Sequence, residues 1–156
     1  MSIKMLWYGA KMQAKMPRPR GFIPIGGFFL FGATMAAYAA ITLLNPGSAL
    51  DAPWALNKTG HHQLIALGKP AAVGFAVLSV LMCGAALGWF RRRYWGWVLG
   101  TSIIAINAAG DLINGARGEW LKGSVGVVIA GGLLFYMTRR KVRDYFIHGS
   151  PGRVAR

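Results

Sequence analysis

Acidic residues are scarce in this chain of 156 residues, which has 4 Asp and Glu against 18 Lys and Arg and a formal charge of +14 at pH 7. A charge excess of this sign is typical of nucleic-acid-binding proteins. Here the basic residues flank long apolar runs instead of lining one polar face, so we expect no nucleic-acid partner. Anionic lipid headgroups explain the excess better, because Lys and Arg clusters beside apolar segments bind them.

Cysteine and histidine are also rare. The single cysteine, Cys83, excludes an internal disulfide and forms no CxxC redox or zinc motif. None of the three histidines lies inside an apolar run, so the axial ligands typical of membrane haem or chlorophyll sites are missing, although ligation by water or a backbone carbonyl stays open. His61 and His62 are neighbours that point to different sides of a helix, which makes them a poor metal-binding pair. We expect neither a cofactor nor a metal.

The familiar catalytic patterns are missing as well. The sequence has no HExxH or GxSxG motif, no phosphate-binding glycine loop and no carboxylate pair at catalytic spacing. Ser79, Ser102 and Ser124 have no visible base that could activate a hydroxyl as a nucleophile. We therefore predict a protein that is not an enzyme. A membrane enzyme acting on lipid is the weakest alternative, because it would need a second reactive group beside Asp111.

Long apolar segments are what the chain does have. Apolar residues make up 54% of it and charged residues 14%, whereas a soluble protein carries about 25% charge. Four segments have the length of membrane spans, at about 22–44, 64–90, 97–114 and 121–137. We predict an all-α polytopic membrane protein, a bundle of four transmembrane helices over residues 22–138. A basic arm, 1–21, precedes the bundle and a basic tail, 139–156, follows it; residues 1–16 fit an interfacial helix or a flexible arm equally well.

The positions of the basic residues predict the topology. With four spans, 14 of the 18 Lys and Arg fall on one side of the membrane, in the arm, in the loop after the second span and in the tail. The positive-inside rule assigns this side, and hence both termini, to the cytoplasm. The side chains expected to anchor the protein to lipid headgroups are Arg91, Arg92, Arg93, Arg139, Arg140 and Lys141.

One polar seam interrupts the third span. Asn107, Asp111 and Asn114 are four and three residues apart, so they share one helix face at about 100° per residue. Such a face on an apolar helix lies against protein or water, not lipid. Two interpretations stay open. The seam is either a hydrogen-bonded cap of the hairpin of spans three and four, with Lys122 near Asp111, or the ion or ligand site of a small oligomeric transporter or channel.

Small residues at four-residue spacing predict close helix packing in membranes. Gly32 and Ala36 share such a face in the first span, and Gly84 and Gly88 form a GxxxG motif in the second. The motif does not distinguish packing within the chain from packing against a second copy. We therefore predict a protein that acts through helix packing, either as an accessory or structural subunit of a larger membrane assembly or as a homo-oligomer.

The second half of the chain contains the segments RRRYWGWVLG, INAAGDLIN and WLKGSVGVVIAGGLLFYMTRRKVRDYF. It resembles small uncharacterised prokaryotic four-helix integral membrane proteins, which often end in an aromatic-rich span followed by a basic VRxxF segment, here Val142 to Phe146. The resemblance implies a four-span fold in a prokaryotic inner or plasma membrane. It implies no particular activity.

Overall fold

A computed structural model describes residues 18–117 and 120–148, apart from the side chains of Leu56, Asn57, Thr59, Lys122 and His148. The predicted alternatives for residues 1–16 lie outside these ranges. Within them the chain is helical and has no strand, which confirms the all-α class. The helices are α1 (Phe22–Leu44), α2 (Lys58–Leu67), α3 (Lys69–Phe90), α4 (Tyr94–Ala116), α5 (Trp120–Thr138) and α6 (Arg140–His148), with a 3-10 helix, Ala49–Asn57, between α1 and α2.

Within the described ranges, three helices are long and apolar enough to cross a membrane. They are α1, α3 and α4, with 23, 22 and 23 residues. At a rise of about 1.5 Å per residue each exceeds the hydrocarbon thickness of about 30 Å. The apolar stretch of α5, Gly123–Thr138, is shorter. The structure therefore supports a membrane protein with three candidate spans, while the fourth span and the bundle arrangement remain predictions.

A glycine divides the second predicted span. Leu64 lies in α2, and the chain turns at Gly68, whose φ is +64°. Glycine adopts this left-handed conformation without the steric cost of a Cβ atom. Pro70 follows in the first turn of α3, where a helix does not need the missing N–H group. The long apolar helix therefore begins at Lys69.

The chain divides into two compact units. Gly27–Gly84 form one of them, which we call the central unit. Two contacts join α1 to α3 inside it: the Ser79 hydroxyl donates to the Ala33 carbonyl oxygen (2.8 Å), and the Met82 side chain lies over Gly32. Ala36, on the same face of α1 as Gly32, is buried. The small-residue face predicted in the first span is thus used for packing within the chain.

The other unit comprises the described residues on either side, 18–26 and, apart from 118–119, 85–148. We call it the hairpin unit, because α4 and α5 form an antiparallel hairpin in it. At one end of the hairpin the Trp97 indole N–H donates to the Met137 carbonyl oxygen (2.9 Å). At the other end the backbones of Gly115 and Gly123 face each other. α6 packs against both helices.

Candidate functional site

The glycines of α5 set how closely the predicted polar seam approaches that helix. A Cβ atom on Gly123 would lie 2.6 Å from the Gly115 Cα and 2.7 Å from the Asp111 carbonyl oxygen. One turn further along α5, a Cβ on Gly126 would overlap the Asp111 carboxylate. The carboxylate is half-buried and occupies the space that a side chain at Gly126 would take. Asp111 is therefore a packing partner of α5.

The two asparagines of the seam do not share this position. Asn107 and Asn114 are exposed, and the Asn107 amide donates to the Ile103 carbonyl oxygen of its own helix (3.1 Å). Gly110 lies between them on the same face, and a Cβ there would meet nothing within 4 Å. The structure thus divides the seam into an Asp111 edge against α5 and an exposed asparagine face, Asn107–Gly110–Asn114. The Lys122 side chain lies outside the described part.

An aromatic cluster fills the other end of the hairpin unit. Its members are Phe22, Trp89, Tyr145 and Phe146, all buried, with ring centroids 4.6 to 6.3 Å apart. The Trp89 indole N–H donates to the Phe22 carbonyl oxygen at 2.7 Å. Tyr145 and Phe146 come from α6, in which Val142 is also buried. A spacing of three and four residues puts these three side chains on one face, with basic residues on the others.

A pocket of about 770 Å³ lies beside this cluster. Four basic residues, two tyrosines and one acid line it: Arg18, Arg20, Arg139, Lys141, Tyr136, Tyr145 and Asp144. We call this the basic pocket. Its one carboxylate, on Asp144, has a basic neighbour outside the lining, since the Arg143 Nε is 3.9 Å from the Asp144 Oδ1. The pocket is therefore positively charged overall.

One hydrogen bond brings the two basic segments of the pocket together. The Gly21 backbone N–H donates to the Tyr136 hydroxyl at 2.7 Å, across 115 residues of sequence. This contact holds the segment with Arg18 and Arg20 at the end of α5, where Arg139 follows. Sequence spacing gives no signal for such a contact, because the two segments meet only in the folded chain.

Tyr145 is the most unusual group in the lining. Its side chain is buried, and its hydroxyl has no hydrogen-bond partner among the described residues. Burying a hydroxyl without a partner costs about 1–3 kcal/mol. The Arg92 guanidinium lies 4.9 Å from the centroid of the Tyr145 ring, a cation–π distance.

The six basic residues predicted as lipid anchors have different positions. Arg139 and Lys141 line the basic pocket, whereas Arg92 is half-buried over Tyr145. The other three, Arg91, Arg93 and Arg140, do not line this pocket, and five of the six residues, all but Arg92, are exposed. Arg18 and Arg20 belong to the predicted basic arm, and nothing in the sequence indicates that they form a site with the tail. In the predicted GxxxG motif, Gly88 lies against the Gly96 backbone of α4, and Gly84 is half-buried.

A smaller polar cluster lies in the central unit. The Trp54 and His61 rings stack at 4.8 Å with 7° between their planes, and the His61 Nε2 is 3.8 Å from the Asp51 Oδ1. The Trp54 indole N–H donates to the Thr42 hydroxyl at 3.0 Å. These contacts join the 3-10 helix to α1 and α2. The neighbouring His62 is exposed.

Among the described residues, no group of three His, Cys, Asp or Glu side chains could hold a metal ion. Asp111 touches a glycine-lined helix, and the basic pocket offers cations and hydroxyl groups. Comparisons with protein-family models, curated proteins and solved structures gave no match.

Proposed function

We propose that the chain is a non-enzymatic integral membrane protein that acts through helix packing, as a subunit of a membrane assembly built from other chains or from copies of itself. Four spans cross the membrane, and both termini lie in the cytoplasm, in a prokaryotic inner or plasma membrane. α5 is the fourth span. Its 19 residues correspond to about 28 Å of helix, close to the hydrocarbon thickness.

The meeting of helix ends in the hairpin unit supports this topology. The start of α1 contacts the end of α3 through Phe22 and Trp89, and the start of α4 contacts the end of α5 through Trp97 and Met137. Consecutive spans in an up-and-down arrangement meet in this way. Arg91 to Arg93 and the arginines after α5 then lie on the same side as the N-terminal arm, as the positive-inside rule requires.

The asparagine face of α4 is the observation that carries the proposed assembly. Asn107 and Asn114 are exposed on a helix that is apolar enough overall to cross a membrane. Lipid offers no hydrogen-bond partner to a carboxamide, so such side chains in membrane helices lie against protein or water. The open Gly110 between them lets a neighbouring helix approach its backbone closely. We propose that a helix of another subunit covers this face and bonds to both amides.

Replacing both asparagines tests the assembly. Asn107→Leu with Asn114→Leu should weaken association about tenfold or more, because interhelical polar contacts contribute about 0.6–2 kcal/mol each. The measurement is the mass of the detergent-extracted complex by light scattering after size exclusion. Ser102→Leu is the matched control, since Ser102 is exposed on α4 away from this face, and it should keep the wild-type mass. A double variant that also keeps that mass would overturn the proposed interface.

The Asp111→Asn variant distinguishes a packing role of Asp111 from a role in ion transport. The amide has the shape of the carboxylate, so the contact with Gly126 should persist, with a change in unfolding free energy below about 1 kcal/mol. Proton or monovalent-cation flux into liposomes should be the same for the variant and the wild type. A flux that the wild type supports and the variant loses would instead identify the transporter or channel alternative.

A further inference from the structure

We propose that the basic pocket binds a phosphate group. Arg18, Arg20, Arg139 and Lys141 all line it, and the one carboxylate there has Arg143 as a neighbour. Arginine N–H groups match phosphate oxygens in pairs, and charge-assisted bonds of this kind are among the stronger hydrogen bonds. A lining with this charge excess selects an anion over a neutral ligand.

The two tyrosine hydroxyls of the pocket favour a ligand that has several acceptor oxygens. The Tyr145 hydroxyl is buried without a partner among the described residues, so a ligand oxygen would remove the cost of burying it. The Tyr136 hydroxyl accepts the Gly21 N–H, which leaves its own hydrogen to donate. Phosphate oxygens can accept from both hydroxyls and from the guanidinium groups at the same time.

The size and position of the pocket define the class of ligand further. A volume of about 770 Å³ falls within the range of about 300–1,000 Å³ of small-molecule sites and greatly exceeds that of a lone anion. The ligand is therefore a phosphate ester. It comes from the headgroup of an anionic membrane lipid or from a soluble phosphate monoester. The lipid source rests on the proposed membrane topology, whereas the soluble source does not.

The site differs from scattered surface charge in how it is built. Arg20 and Arg139 are far apart in sequence, and the bond from Gly21 to Tyr136 brings their segments together. Arg140 follows Arg139 directly but does not line the pocket. General attraction of a basic surface to anionic lipid would use Arg139 and Arg140 equally. A defined binding site, in contrast, depends on Arg139 and not on Arg140.

The test measures phosphate binding by the full chain in lipid nanodiscs. Discs of phosphatidylcholine receive either phosphatidylglycerol within the disc or glycerol 3-phosphate in solution, and each dissociation constant is determined. For the probe that binds the wild type, Arg20→Gln and Arg139→Gln should each raise the dissociation constant about tenfold. The matched control Arg140→Gln, with the same change of charge one residue away, should change it less than about twofold. Binding of phosphatidylglycerol alone identifies a headgroup site, and binding of glycerol 3-phosphate alone identifies a soluble ester.

Tyr145→Phe provides a readout that a purely structural residue would not give. The substitution removes a hydroxyl that lacks a partner in the ligand-free protein, so the unfolding midpoint without phosphate should stay the same or rise. Binding should weaken about fivefold with the loss of one hydrogen bond. Equal losses for Arg139→Gln and Arg140→Gln, or no measurable binding of either probe, would overturn the proposal. Neither result would affect the proposed assembly through α4.

Discussion

Trp89→Ala should lower the free energy of unfolding by about 3–5 kcal/mol, the range for truncating a large buried aromatic side chain. Trp89 is 1% exposed, packs between Phe22 and Phe146, and donates its indole N–H to the Phe22 carbonyl oxygen. Its loss would leave a cavity where α1, α3 and α6 meet, and the carbonyl oxygen would lose this donor. Equilibrium unfolding in detergent micelles, followed by far-ultraviolet circular dichroism, gives the measurement.

Trp120→Ala is the matched control. Trp120 belongs to the same unit but is 75% exposed, so its truncation should cost less than about 1 kcal/mol. Both variants lose the same side chain, and only the packing around it differs. Similar losses for the two variants would show that the aromatic cluster does not hold this end of the molecule together.

Gly123→Ala should destabilise the α4–α5 hairpin by about 1–3 kcal/mol, as overpacking of a close contact does. The new Cβ would lie 2.6 Å from the Gly115 Cα, and a backbone cannot move aside as the end of a side chain can. The two helices would have to separate locally. Thermal unfolding of the purified protein, compared with the wild type in one detergent, measures the effect.

Gly131→Ala is the control for the hairpin, because a Cβ at that position meets nothing within 4 Å. It should leave stability unchanged or raise it slightly, since alanine favours a helix by up to about 1 kcal/mol over glycine. If Gly123→Ala is as well tolerated as Gly131→Ala, the close approach of α4 and α5 is not a determinant of stability.

The helical class and the membrane character could be predicted from the sequence because they depend on local properties. A long apolar run predicts a membrane helix whatever its neighbours are. Helical spacing likewise predicts that Asn107, Asp111 and Asn114 share one face. It does not predict which of the three lies against α5. The three residues span about 60° of arc on the helix, which is wide enough to include both an edge in contact with α5 and an exposed face. Only the position of Gly126 shows that Asp111 lies at the contact edge.

Tertiary contacts account for what the sequence could not predict. The basic pocket depends on a hydrogen bond from Gly21 to Tyr136 across 115 residues, and no local pattern encodes that pairing. A usable signal did exist in the predicted basic tail. Val142, Tyr145 and Phe146 have helical spacing, which predicts an amphipathic helix with one buried face. The charged residues around them favour a basic cytoplasmic tail that anchors to lipid headgroups, which is the prediction made from the sequence.

Native mass spectrometry of the protein, extracted gently from its own membrane, tests the proposed role most directly. We expect a complex that contains more than one chain, either with other membrane proteins or with further copies of this one. In the Asn107→Leu, Asn114→Leu double variant a larger fraction should appear as single chains, with the helix content unchanged. A wild-type protein that leaves the membrane as a single chain would contradict the proposal that it acts through helix packing with other subunits.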